Sequence, residues 1–140
     1  MTWLHRRLRR AVRDRESGAS SVELVLYAPL LMLITFLLVQ CALSWYGDSV
    51  AGAAAREAAR IARVGGGTPA ALASAENRGE SYARAVGGQG LRDVTVTVVR
   101  IPGDQVRATV SGRSMELVVG FAPRVSATVE GPIEQFRPDL

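Results

Sequence analysis

Glu16 to Leu33 reads ESGASSVELVLYAPLLML, and one carboxylate in it, Glu23, stands at the entrance to a long apolar run. From Leu24 to Gly47 the chain has 24 consecutive residues without a charge, dense in Leu, Val, Ile, Phe, Tyr and Trp. As a helix this run is about 36 Å long. The hydrocarbon core of a bilayer is about 30 Å thick, so the run can cross it with some tilt. The rest of the 140 residues is too small to wrap such a helix as a soluble core. A carboxylate at this place is costly unless it meets a partner or reaches water, which makes Glu23 a candidate functional residue. The bland alternative is a side chain that leans into the headgroup region.

Working outward, the charge before the run sets the topology. Residues 1–18 hold six arginines against Asp14 and Glu16, whereas eleven arginines and eleven acids balance over residues 19–140. The whole excess of +4 therefore precedes the apolar segment. The positive-inside rule predicts a single-pass protein of the inner (cytoplasmic) membrane, N-terminus in the cytoplasm and C-terminus outside. The basic cluster reads as a topology signal, and a nucleic-acid partner is not expected. Cys41 is the single cysteine and lies inside the run, so no internal disulfide is possible. Leu38-Val39-Gln40-Cys41 has the outline of a lipoprotein cleavage site, but Gln40 occupies the position that needs a small residue, and Cys41 reads as a membrane-embedded thiol.

Beyond the run the helix has no stop before Val64. "GDSVAGAAAREAARIAR" is rich in alanine, and Glu57 can pair with Arg60 at the i,i+3 spacing. Asp48, Gly52, Arg56, Arg60 and Arg63 share one face, and Val50, Ala54 and Ile61 another. One helix from Ala19 to Val64 is expected, apolar in its first half and amphipathic in its second. Gly65–Gly67 ends it. Thr68 and Pro69 read as the N-cap and first residue of a second helix to about Val86, weakened by Gly79 and closed by "GGQG". The period then changes to two. Val94, Val96 and Val98 alternate with threonines, "IPGDQ" turns the chain, and Val106, Ala108 and Val110 return. A third strand fits "RVSATVE", with Val125, Ala127 and Val129 on one face; Ser111–Pro123 reads as a loop or a short helix between strands, and the tail from Pro132 as loosely ordered. The expected fold is α+β: a basic leader (1–18), a transmembrane helix continuing as an amphipathic helix (19–64), and a small extracytoplasmic head (65–140). In that head a second helix and a three-stranded antiparallel sheet need the amphipathic helix as a lid.

The ordered set of a basic arm, Gly18, small residues, Val22-Glu23, Ala28-Pro29 and a leucine-rich block resembles a type IV prepilin. In particular it is similar to the TadE-like pseudopilins of tight-adherence (Flp) pilus systems, over about residues 13–66. That resemblance implies a pilin-like fold and a membrane prepilin peptidase that cuts between Gly18 and Ala19, making Glu23 the fifth residue of the mature chain. It also implies other pilins and the membrane proteins of the assembly platform as partners, and a place in the extracellular pilus after processing. Leu24 stands where related pilins often have Phe, and Ala19 replaces an aromatic first residue.

The residues give this arrangement a physical sense. Cleavage removes the basic arm and creates an α-amine at Ala19, largely cationic at neutral pH. Paired with Glu23 of a neighbouring subunit, it would offset part of the desolvation penalty and fix the stagger between helices. Gly18, lacking Cβ, lets the backbone enter a narrow active site in extended form. Pro29 has no N–H, frees the carbonyl of Val25, and is expected to kink or loosen the helix, harmlessly or to help the subunit leave the bilayer. Gly47, Ala51, Ala55 and Ala59 recur every fourth position, a surface on which helices can approach closely.

Catalysis is not expected. His5 lies in the leader, no metal-ligand spacing occurs, no cofactor motif is present, and Ser111 and Ser114 near Glu116 have no base beside them. The competing reading is an uncleaved signal anchor that displays a small binding domain. A cleaved secretory signal fits poorly, because the apolar run is too long and Glu23 is left without a role.

Overall fold

The computed structural model describes residues 2–117, 120 and 123–134, with side chains described from Ser21 onward. Its elements are α1 (Thr2–Val64), α2 (Pro69–Gly87), β1 (Leu91–Ile101), β2 (Gln105–Ser114) and β3 (Arg124–Pro132). This is the expected α+β order of a long apolar helix, a second helix and three antiparallel strands. The chain divides into two units, Met1–Val39 and Gln40–Leu140.

The first unit is helical from Thr2, not from Ala19. Between Thr2 and Ser17 there is no glycine or proline, and Arg, Leu and Ala are all good helix formers, so the leader has no reason to stay extended. From Ser21 to Val39 every side chain is exposed. An apolar helix with no buried face has only lipid or another helix to meet. The helix continues through Pro29, and Thr35 donates its hydroxyl to the Leu31 carbonyl 2.8 Å away.

In the second unit β2 is the central strand, antiparallel to β1 and β3. Val96, Val98, Val106, Ala108, Val110 and Val125 fill one face of the sheet, and seven residues of α1 from Val50 to Ala62, six of them alanine, close over it. The amphipathic half of α1 is thus the lid that the period-two pattern required. α2 lies antiparallel to this part of α1. A Cβ on Gly87 would sit 3.1 Å from Val50, and one on Gly79 would sit 3.1 Å from Ala58, eight residues along each helix. Gly79, expected to weaken α2, occupies the corner where α1, α2 and β1 meet, and a Cβ there would sit only 3.0 Å from a Val96 methyl. Its missing side chain is what allows the approach.

The helix ends follow local chemistry. Gly67 N–H reaches the Ala62 carbonyl at 2.9 Å and Gly66 N–H that of Arg63 at 3.1 Å, both glycines having positive φ. Thr68 accepts from Ala71 N–H, and Pro69 opens α2. Arg63 clamps the end of α1 to the end of β3: its Nε donates to the Pro132 carbonyl at 2.8 Å, and its own carbonyl accepts from Glu134 N–H. Glu57 and Arg60 form the expected pair at 2.9 Å, with Arg78 3.7 Å away.

Two expectations about the strands need correction. β2 runs on to Ser114, where a loop or short helix was expected from Ser111, because Leu91 and Arg92 continue the pairing beyond a bulge at Asp93. Ser114, 2 % exposed, is held by the Pro123 carbonyl. The tail is bonded through Ile133 N–H to the Asp104 carbonyl and through Glu134; residues 135–140 lie outside the described residues, as do 118, 119, 121 and 122.

On the outer rim of β1, Glu76 of α2 accepts the Val98 N–H at 2.9 Å. A helix carboxylate here takes the place of a further strand.

Candidate functional site

Gly18, Ala19, Glu23 and Pro29 all fall on α1. The side chain of Ala19 lies outside the described residues. Ala19 and Glu23 are four residues apart, so their Cα atoms share one face about 6 Å apart along the axis. Glu23 is exposed between Val22 and Leu24, which are 62 % and 70 % exposed, and it has no hydrogen-bond or ion-pair partner among the described residues. It is a bare carboxylate on an otherwise apolar cylinder. Gly18 is inside the helix rather than in an extended segment. Glycine makes this the softest point of the segment, by about 1 kcal/mol relative to alanine.

The small-residue stripe lies inside the second unit. Gly47, Ala51, Ala55 and Ala59 are buried in the core of the second unit, the three alanines no more than 2 % exposed. Gly47 approaches Ser114 and Val125 of the sheet. The stripe therefore serves close packing within the chain and is not an open surface for a neighbouring helix. A second set was missed in the sequence: Ala75, Gly79, Ala83 and Gly87 of α2 are small buried residues at the same spacing of four, with Gly87 against Val50 and Gly79 against Ala58 of α1. That repeat is visible in the sequence once Gly79 is taken as a member rather than a flaw.

Gln40 was also missed. It is 3 % exposed, and its amide pairs with the segment after β2 as a strand would: Nε2 donates to the Met115 carbonyl and Oε1 accepts from Leu117 N–H, both at 3.2 Å. One side chain thus holds both an acceptor and a donor of the partly exposed segment after β2. Gln40→Leu keeps the volume but removes both bonds, at a cost of about 1 kcal/mol each. The expected result is a lower melting temperature of the full chain and fast amide exchange at Leu117; wild-type exchange there would contradict the anchoring role.

The whole set, from Gly18 through Glu23 and Pro29 to the alanine-rich lid, is one continuous stretch of α1. Residues 18–60 match the family described as TadE-like protein. The chain carries a TadE-like segment. The apolar helix within it is long enough to cross a membrane. The TadE-like segment begins at Gly18, leaving the arginine-rich residues 1–17 outside it, and it ends four residues before α1 does. No curated protein and no solved structure matches the chain.

Proposed function

We propose that this protein is a minor pseudopilin of a tight-adherence (Flp) type IV pilus, inserted N-in and C-out, and cut by a prepilin peptidase after Gly18. The observation that carries the reading is the exposed, partnerless Glu23 one helical turn from Ala19 in the TadE-like segment. A cut creates a cationic amine at that position, the partner the carboxylate lacks. In a bundle of helices the amine of one subunit meets Glu23 of the next, and such pairs fix register more than they add stability. Processing thereby gates assembly with the other pilins on the platform proteins. A minor role, capping or priming the fibre, fits a chain of 140 residues, since the major Flp subunits this family accompanies are much shorter. Catalysis, a metal and a cofactor have no part in the proposal.

A second reading, an uncleaved signal anchor displaying the head, is favoured by one observation: α1 runs unbroken through Gly18. N-terminal sequencing of the chain from native membranes and from sheared pili decides between them. Ala19 as the first residue is the expected result; Met1 or Thr2 in a protein fully active in piliation overturns the processing model.

A further inference from the structure

The sheet has a second face, turned away from α1 and α2, and its composition is unlike that of the core side. In register across the three strands lie Thr95, Ser111 and Ser126, and beside them Thr97, Thr109 and Thr128, with the last two hydroxyls 3.2 Å apart. At one end of these hydroxyl rows, Arg92, Arg113 and Arg124 form a third row, one arginine per strand. Like charges directly opposite one another in a sheet are destabilising, so three in a row demand compensation. The chain supplies little. Arg92 donates to the side-chain amide oxygen of Gln89 at 2.8 Å, and Arg113 has Asp93 at 3.9 Å. Arg124 has no partner among the described residues. Arg113 and Arg124 share a depression of about 250 Å³ with the hydroxyls of Ser111 and Ser126, and the exposed Asp93 stands at its rim on the bulge of β1.

We propose that this face binds an acidic polysaccharide, with a sugar carboxylate held between Arg113 and Arg124 and the Ser and Thr rows hydrogen-bonding to sugar hydroxyls. Opposed residues on adjacent strands are about 5 Å apart, so two guanidinium groups converge on one carboxylate, and the planar fork of arginine matches that group. Charge complementarity selects the anion, and the surface around it selects the class. A protein partner needs an apolar or aromatic anchor at the centre of its interface. Here the rows beside the arginines carry only hydroxyls, and the exposed hydrophobe on this face, Val99, lies beyond them in the row of Arg107 and Glu130. A flat array of hydroxyl donors and acceptors suits a polyhydroxylated chain. Asp93 opposes the ligand and holds Arg113 to one side, so it limits affinity rather than contributing to it. The inference requires neither cleavage after Gly18 nor assembly into a filament.

The test uses the full chain in phosphatidylcholine nanodiscs, titrated with alginate, a polyuronate, and with neutral dextran. Binding of alginate and not dextran is expected. R113Q/R124Q should weaken it at least tenfold, whereas the charge-matched R84Q/R100Q, on α2 and on the β1–β2 hairpin, should change it less than twofold. D93N, tolerated by the positive φ of that position, should tighten it several-fold, a sign that general loss of structure cannot produce. No alginate binding, equal loss in both double variants, or weaker binding by D93N overturns the proposal. So does displacement by inorganic phosphate at an equal concentration of charge, which would mark a simple anion site, or stronger retention on vesicles containing phosphatidylglycerol than on alginate.

Discussion

Glu23→Ala is expected to insert into the membrane as well as the wild type and to be recovered with pili at least tenfold less. Removing a carboxylate from an apolar helix lowers the cost of insertion, so any loss of function cannot come from failure to enter the bilayer. Under the proposed pairing, what the variant loses is the partner for the amine at Ala19, and with it the register between neighbouring helices. Glu23→Gln separates charge from shape: it keeps the size and hydrogen-bonding capacity of the side chain and should fail as the alanine variant does if pairing is ionic. Cell fractionation checks insertion, and immunoblotting of sheared pili checks incorporation. Normal incorporation of either variant would remove the ion pair from the mechanism while leaving the TadE-like segment in place.

Gly79→Leu should unfold the second unit under conditions in which Gly79→Ala does not. An added Cβ already comes within 3.0 Å of Val96 and 3.1 Å of Ala58. For alanine, the gain in helix propensity of about 1 kcal/mol offsets that tight contact, and the net change is small. Leucine adds three further carbons in a corner formed by two helices and a strand, where overpacking costs about 1–3 kcal/mol or more. In a domain of this size that lowers the melting temperature by about 10 °C or more. Thermal unfolding of the full chain in detergent, followed by circular dichroism, reads the difference; equal melting of the two variants would mean that α2 does not pack on α1 and β1 through this glycine.

Much of this fold is legible in local patterns because local patterns are what produce it. Gly65 to Pro69 ends one helix and starts the next through backbone geometry and capping, which depend only on neighbouring residues. The valines of β1 and β2 and the Val125 face of β3 alternate because one side of the sheet is buried. Glu23 announces itself through its cost. The remaining features depend on partners distant in sequence. Gln40 looks like an imperfection in an apolar run until Met115 and Leu117 are beside it. Gly79 looks like a weak point of a helix until Ala58 and Val96 crowd it. Ser111 to Ser114 has the small polar residues of a loop, and only pairing past the Asp93 bulge makes it strand. The arginine row is invisible in one dimension, since its members come from three strands whose register had not been fixed.

The carboxylate of Glu76 on the outer rim of β1 has a consequence for how copies of this chain can stick together. A sheet normally has two edges that can recruit a strand, and a molecule with both open can polymerise into a ribbon. Here Glu76 of α2 takes up an N–H of the β1 edge, and among the described residues β3 is the edge where a strand can add. Two copies can join once along β3, and lateral growth then stops at a pair.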